Sequence, residues 1–264
     1  MSDHQLEGSG RWALITGASA GIGEAFADVF AKNGFNLVLV ARRKEKLTAI
    51  AAKTQKAFKV QAEVLVADLA DPVSPRQIYD ALQKKQIKPS ALVNNAGYAV
   101  KTGFTDTPWQ VYDDMIQVML TAVTELCHLF AIDMKAQQYG RIINVASVAA
   151  FTPQMPGNLY GGIKSYVAGM SDALNMELSH HGVNCTALCP GFTRSEFHDV
   201  MDIREFMDKL PGFMWLSAAN VAEQGYQAVM KGKVFCIPGG LYKVITGLMN
   251  FVPKFVKSKA GNSL

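Results

Sequence analysis

Thr16-Gly17-Ala18-Ser19-Ala20-Gly21-Ile22-Gly23 is the stretch on which the fold turns. A short apolar run over residues 12–16 precedes it, and a helical pattern over 21–33 follows. Glycines placed between a strand and a helix have physical jobs. One permits a tight turn, one lets backbone approach a pyrophosphate, and one lets the helix pack closely on the strand. The helix start then supplies free N–H groups and the positive end of a dipole. A Gly-rich string alone is weak evidence, and its position at the start of a β-α-β unit makes it specific.

Working outward, β-branched runs alternate with helical stretches. Strands are expected at residues 12–16, 36–40, 64–66, 91–93, 141–145, 183–188 and 234–237. Helices are expected at 21–33, 44–54, 74–86, 107–137 as one long element, 159–180 and 221–231. Residues 36–40 are apolar without interruption except at Asn36, the mark of a strand covered on both faces. Strict alternation predicts an α/β fold: a doubly wound parallel sheet in a three-layer αβα sandwich. Ligands of such sheets bind at the carboxyl ends of the strands, which places the chemistry in the loops after Thr16, Val40, Val66, Val93, Val145 and Leu188.

The chain's 264 residues suit one large domain. Residues 1–10 read as a flexible N-terminal segment, 11–240 as the domain and 241–264 as an apolar, basic tail. Charged residues are 18% of the chain, below the usual quarter, which suggests apolar surface beyond the fold itself, in an interface or a pocket. The formal charge of +4 comes without basic runs interleaved with aromatics, so nucleic-acid binding is not expected. Cys127, Cys185, Cys189 and Cys236 lack metal spacing and read as small buried hydrophobes in a reducing compartment. No metal site is expected. The N-terminus has the features of neither a signal peptide nor an anchor, and no run reaches roughly 18 uninterrupted apolar residues. A cytoplasmic location is therefore expected.

About 20 residues beyond the glycine loop, NAD-binding folds carry an acidic residue for the ribose 2′-hydroxyl. Here Ala41 occupies that position and Arg42-Arg43 follow. A guanidinium suits a 2′-phosphate, which favours NADP(H), with Arg42 as the contact. The alternative is a solvated start to the next helix, more so for Arg43.

Tyr160 and Lys164 stand four apart and share a helix face. A free phenol, with a pKa of about 10, is a poor base at pH 7. A neighbouring ammonium is expected to lower that value. Ser147 ends the preceding strand and can hydrogen-bond a substrate oxygen beside the phenol.

These residues resemble the short-chain dehydrogenase/reductase family in its single-domain, Rossmann-like form, over about residues 10–240. The resemblance rests on 16–23, Asp68-Leu69, Asn94-Asn95-Ala96-Gly97, Ser147, Tyr160 with Lys164, and Pro190-Gly191. It implies Ser147, Tyr160 and Lys164 as the catalytic set. It implies cofactor contacts from Gly17, Ser19, Gly21, Ile22, Gly23, Arg42, Asp68, Leu69, Asn95, Gly97, Pro190, Gly191 and Thr193, with Tyr160 and Lys164 also beside the nicotinamide ribose. Tyr160 would give or take the proton as hydride moves between nicotinamide and carbonyl carbon. A homodimer or homotetramer is also implied. One position departs. The family usually carries Asn within a string like V-N-L-T, assigned to a proton relay through water, and here Met119 takes that place. A thioether is a weak acceptor, so proton exchange is expected to be impaired but not abolished.

After Pro190-Gly191 come Phe192, Phe197, Met201, Phe206, Met207, Phe213, Met214 and Trp215, read as an apolar lid over 192–216. A dry lid suggests an apolar carbonyl or alcohol substrate, with core packing as the alternative for each residue. A 3-oxoacyl reductase of lipid metabolism and a cofactor-binding homologue with little turnover are the other readings. The tail mixes apolar residues with lysines. Membrane-surface contact is open, and a helix packed on the domain or a neighbouring subunit is the commoner arrangement.

Overall fold

The computed structural model describes residues 6–100, 102–152, 159–194 and 211–251. Seven parallel strands form the central sheet: β1 (Trp12–Thr16), β2 (Asn36–Ala41), β3 (Ala62–Val66), β4 (Pro89–Asn94), β5 (Gly140–Val145), β6 (Val183–Leu188) and β9 (Phe235–Cys236). Their order across the sheet is β3-β2-β1-β4-β5-β6-β9. The chain runs outward from β1 to β3, then crosses back to β4 and continues the other way. This reversal opens a crevice at the carboxyl ends of β1 and β4.

Helices α1 (Gly21–Lys32), α2 (Lys44–Phe58) and α7 (Ala218–Met230) cover one face, where Phe26, Phe30, Leu39, Leu47 and Val229 are buried together. The other face carries α3 (Ser74–Lys84), α4 (Trp109–Ile116), α5 (Ala122–Ala136) and α6 (Tyr160–Leu178), with Leu14, Leu92, Met115, Phe130 and Ile142 in the shared core. Leu37, Val38, Leu39 and Val40 are all at most 1% exposed, which is why β2 tolerates no polar alternation. The doubly wound three-layer fold is thus the one expected.

Several details differ from expectation. The long helix begins at Trp109 rather than 107, and a π-turn over Gln117–Thr121 separates α4 from α5. This 28-residue element is long and apolar enough by composition to cross a bilayer, yet over half of its apolar window is buried in the domain. Residues 6–10 are tied down: Gly8 N–H donates to the Asn33 carbonyl at 2.9 Å and Tyr139 Oη donates to Glu7 Oε1 at 2.7 Å. The flexible segment therefore does not extend to residue 10. Nor does the domain stop at 240, because α8 (Gly240–Phe251) packs on it through buried Tyr242 and Thr246. Two short strands, β7 (Thr193–Arg194) and β8 (Leu216–Ser217), pair in parallel and tie the two ends of the expected lid together. Phe197, Met201, Phe206 and Met207 lie outside the described residues.

Candidate active site

The residues expected in the site sit in loops or near helix starts on the carboxyl edge of β1 to β6, except Thr193, which opens the short strand β7. The glycine loop is built by steric necessity. Gly17 has φ +63°, and a Cβ there would lie 2.8 Å from Asn95 Nδ2. A Cβ on Gly23 would lie 2.2 Å from the Gly17 carbonyl oxygen, so α1 can approach the turn only without one. Asn95 locks the loop: its Nδ2 donates to the Thr16 and Gly17 carbonyls at 3.1 and 3.2 Å, and its N–H donates to Thr16 Oγ1 at 2.9 Å. Its side chain therefore shapes the loop. Ala20, at the N-cap of α1, has no capping oxygen, which leaves first-turn amides for an anion.

The two arginines divide differently from expectation. Arg43 crosses the loop and donates to Ser19 Oγ from Nε at 3.2 Å and Nη2 at 2.9 Å. Arg42 is 76% exposed and pairs with Asp68 at 3.8 Å, on the outer side of the crevice. Both face the β2 corner, and Arg43, read as the more expendable, holds the loop. Asp68 is exposed and accepts from Ala70 N–H at 3.1 Å, while Leu69 is buried. An open cradle that a single Cβ would fill, uncapped amides and two guanidinium groups together fit a dinucleotide phosphate.

Two strands along, the chemistry is made of side chains, buried at Ser147 and Lys164 and half-buried at Tyr160. Ser147 follows β5, its Oγ accepts from Ala149 N–H at 3.1 Å, and it hydrogen-bonds the Tyr160 phenol. Lys164 is 6% exposed, donates to the Val145 carbonyl at 2.7 Å, and holds its Nζ 5.5 Å from the Tyr160 ring centre. Burial pushes the phenol up to about 12, with the Ser147 hydroxyl opposing that rise. Burial also brings the Lys164 ammonium down to about 8. The phenol is thus raised where a lowering by Lys164 was expected: burial dominates, opposed by the Ser147 hydroxyl, and the phenol stays protonated at neutral pH.

The loop after β6 closes the same end. Pro190 accepts from Val148 N–H at 3.1 Å, and Thr193 Oγ1 donates to the Gly191 carbonyl at 3.0 Å. Phe192 and Trp215 rings stand 6.1 Å apart above it. Met119 is 1% exposed in the π-turn, packs on Gly97, and accepts from Tyr98 N–H through Sδ at 3.4 Å. Beneath the site, Asn94 donates to Asn144 Oδ1 at 2.9 Å and Asn144 donates to Ser171 Oγ at 3.0 Å, a buried relay joining β4, β5 and α6. Sequence reading missed Asn144 and Ser171. Their signal was present as polar residues inside apolar elements, which burial obliges to pair. All four cysteines are buried and free, and no metal-ligating cluster of three occurs among the described residues.

The profile of the short chain dehydrogenase family matches residues 11–204, well over half of the chain, and the chain belongs to that family of oxidoreductases. A short-chain dehydrogenase from Sphingobium yanoikuyae, solved in complex with NADPH, is 31% identical with a TM-score of 0.79, covering 92% of this chain and 96% of that one. A very-long-chain 3-oxoacyl-CoA reductase of Phaeosphaeria nodorum is 35% identical over 66% of this chain and 52% of its own length. The inactive hydroxysteroid dehydrogenase-like protein 1 of Homo sapiens is 32% identical over 69% of this chain and 55% of its own length. The chain spans about half the length of these two curated relatives.

Proposed function

We propose that this chain is an NADP(H)-dependent oxidoreductase that interconverts a carbonyl and an alcohol on an apolar substrate. The observation that carries the reading is the convergence of Ser147, Tyr160 and Lys164 in one buried corner, two strands from a glycine cradle. The 16–23 loop and the start of α1 would hold the pyrophosphate, with Arg43 and Arg42 beside a 2′-phosphate. NADPH, when bound, supplies the hydride. Tyr160 keeps its proton at neutral pH and gives it to the carbonyl oxygen as the Oη–H bond breaks. Ser147 donates a second hydrogen bond to the same oxygen. Lys164 places a positive charge beside the phenolate that remains. Phe192 and Trp215 favour a substrate with a large apolar group, in keeping with a 3-oxoacyl or steroid-like ketone.

The test is NADPH oxidation, followed by absorbance, over a panel of aldehydes and ketones. Tyr160→Phe should reduce turnover about a thousandfold while leaving cofactor binding intact, since it removes only the proton donor. Turnover unchanged in Tyr160→Phe would overturn the assignment. A second reading, a cofactor-binding homologue with little turnover, is favoured by Met119 alone. Tight NADPH binding with no turnover on any activated dicarbonyl would support it over the first.

A further inference from the structure

Helix α8 lies outside every motif in the sequence, yet it touches the reacting end of the crevice. Tyr242 is 4% exposed. Its Oη accepts from Phe192 N–H at 3.1 Å and donates to the Met214 carbonyl at 2.7 Å. Phe192 in turn accepts from Leu216 N–H at 2.8 Å through its carbonyl. One phenol therefore joins the segments that lead into β7 and β8. Its ring lies flat against Gly191, where a Cβ would stand 2.1 Å from Cζ. One turn later, Thr246 Oγ1 donates back to the Tyr242 carbonyl at 2.8 Å.

The place of this clamp follows from the sheet. Along the carboxyl edge the order is Arg43 after β2, the glycine loop after β1, Gly97 after β4, Ser147 after β5 and Gly191 after β6. From β2 to β6 is four strand steps, roughly 19 Å at 4.8 Å each. The 190–193 loop is thus one strand beyond Ser147 and four strand steps from the arginines after β2. A Val148 N–H to Pro190 bond of 3.1 Å fixes it against the serine turn.

We propose that Tyr242 is a positioning residue, which sets the 190–193 loop so that it receives the nicotinamide end of the dinucleotide. This rests on the NADP(H) reading above. Removing the hydroxyl leaves Phe192 N–H and the Met214 carbonyl without their partner while keeping the ring on Gly191. Half of the cofactor should feel that loss and half should not.

The experiment titrates full-length wild type and Tyr242→Phe with NADPH and with 2′,5′-ADP, which carries the phosphate end alone. NADH and 5′-ADP are the matching pair if the unphosphorylated form binds more tightly. Thermal melting checks the fold, and Gly191→Ala, which must push the ring aside, is the second variant. In both variants NADPH should bind about 5- to 30-fold more weakly, as expected for one or two unpaired buried groups. Binding of 2′,5′-ADP should change less than about twofold. Equal weakening of both ligands, or no change in either, overturns the proposal. A wild type that binds neither ligand overturns it together with the dinucleotide reading. A wild type that binds both but reduces no carbonyl overturns only the reductase assignment, and the Tyr242 comparison still decides this one.

Discussion

From Thr16 to Gly23 the site is made of backbone; around Ser147, Tyr160 and Lys164 it is made of largely desolvated side chains. At the first place the constraint is steric. Gly17 and Gly23 leave room that a methyl group would fill, and Asn95 holds the turn in that shape. At the second place the constraint is electrostatic. A lysine held near pKa 8 and a phenol held near 12 are both displaced from their ordinary values by burial, and each hydrogen-bonds a neighbouring group, the Val145 carbonyl and the Ser147 hydroxyl. A steric site is broken by adding atoms, and an electrostatic one by changing charge.

The largest effect in this comparison belongs to Lys164→Met. It removes the buried charge while keeping length and apolar bulk, so turnover should fall by about two to three orders of magnitude with cofactor binding changed far less. The wild-type pH profile carries the same information. Tyr160 remains protonated up to about 12, so the alkaline limb of carbonyl reduction reports the ammonium. Lys164 loses its charge as pH rises through about 8, and the rate should be level below that value and decline above it. A limb that persists unchanged in Lys164→Met would assign it to another group.

Next in size is Gly23→Ala. The added carbon would stand 2.2 Å from the Gly17 oxygen, and overpacking of this kind costs about 1–3 kcal/mol. Dinucleotide binding should weaken by up to about 100-fold, read by fluorescence titration, while turnover at saturating cofactor stays within a few-fold. If Gly23→Ala lowered turnover and Lys164→Met lowered binding, the division between the two regions would fail.

The same division explains what could be read in advance. The alternation of strands and helices, the two covered faces and the carboxyl-edge location follow from local patterns, because an apolar run or a glycine turn acts over a few residues. The pKa direction of Tyr160 did not follow. Spacing from Lys164 reports that a charge is near, but burial depends on elements from across the chain. Tyr242 was also out of reach, since it meets Phe192 across 50 residues. The π-turn over Gln117–Thr121 adds one residue to a helical turn without changing the apolar pattern, so periodicity alone passes over it.

A smaller effect separates the two arginines. Arg43 touches Ser19 and Arg42 pairs with Asp68 in solvent, where an exposed pair is worth about 0–1 kcal/mol. Arg43→Ala should therefore raise the KM for NADPH about tenfold and leave that for NADH nearly unchanged, because a guanidinium–phosphate contact is worth about 1.5–3 kcal/mol. Arg42→Ala should raise it about threefold or less. The reverse ranking, in steady-state kinetics with both cofactors, would return the 2′-phosphate to Arg42.

Met119→Asn is expected to have the smallest effect on rate, and it lies where the two regions meet. The thioether fills space against Gly97, and its sulfur already accepts the Tyr98 N–H. Lys164 already donates to the Val145 carbonyl, so its position does not depend on residue 119. Asparagine would restore a polar group but leave a void in a packed core, and losses of about 2–5 kcal/mol accompany deeper truncations at such sites. The melting temperature should fall by several degrees, and turnover should rise by no more than about threefold, because the asparagine amide can take over the Tyr98 N–H before it serves any proton path. A tenfold gain confined to alkaline pH would show instead that the methionine limits proton supply to Lys164, and would extend the electrostatic region across β4 to the π-turn.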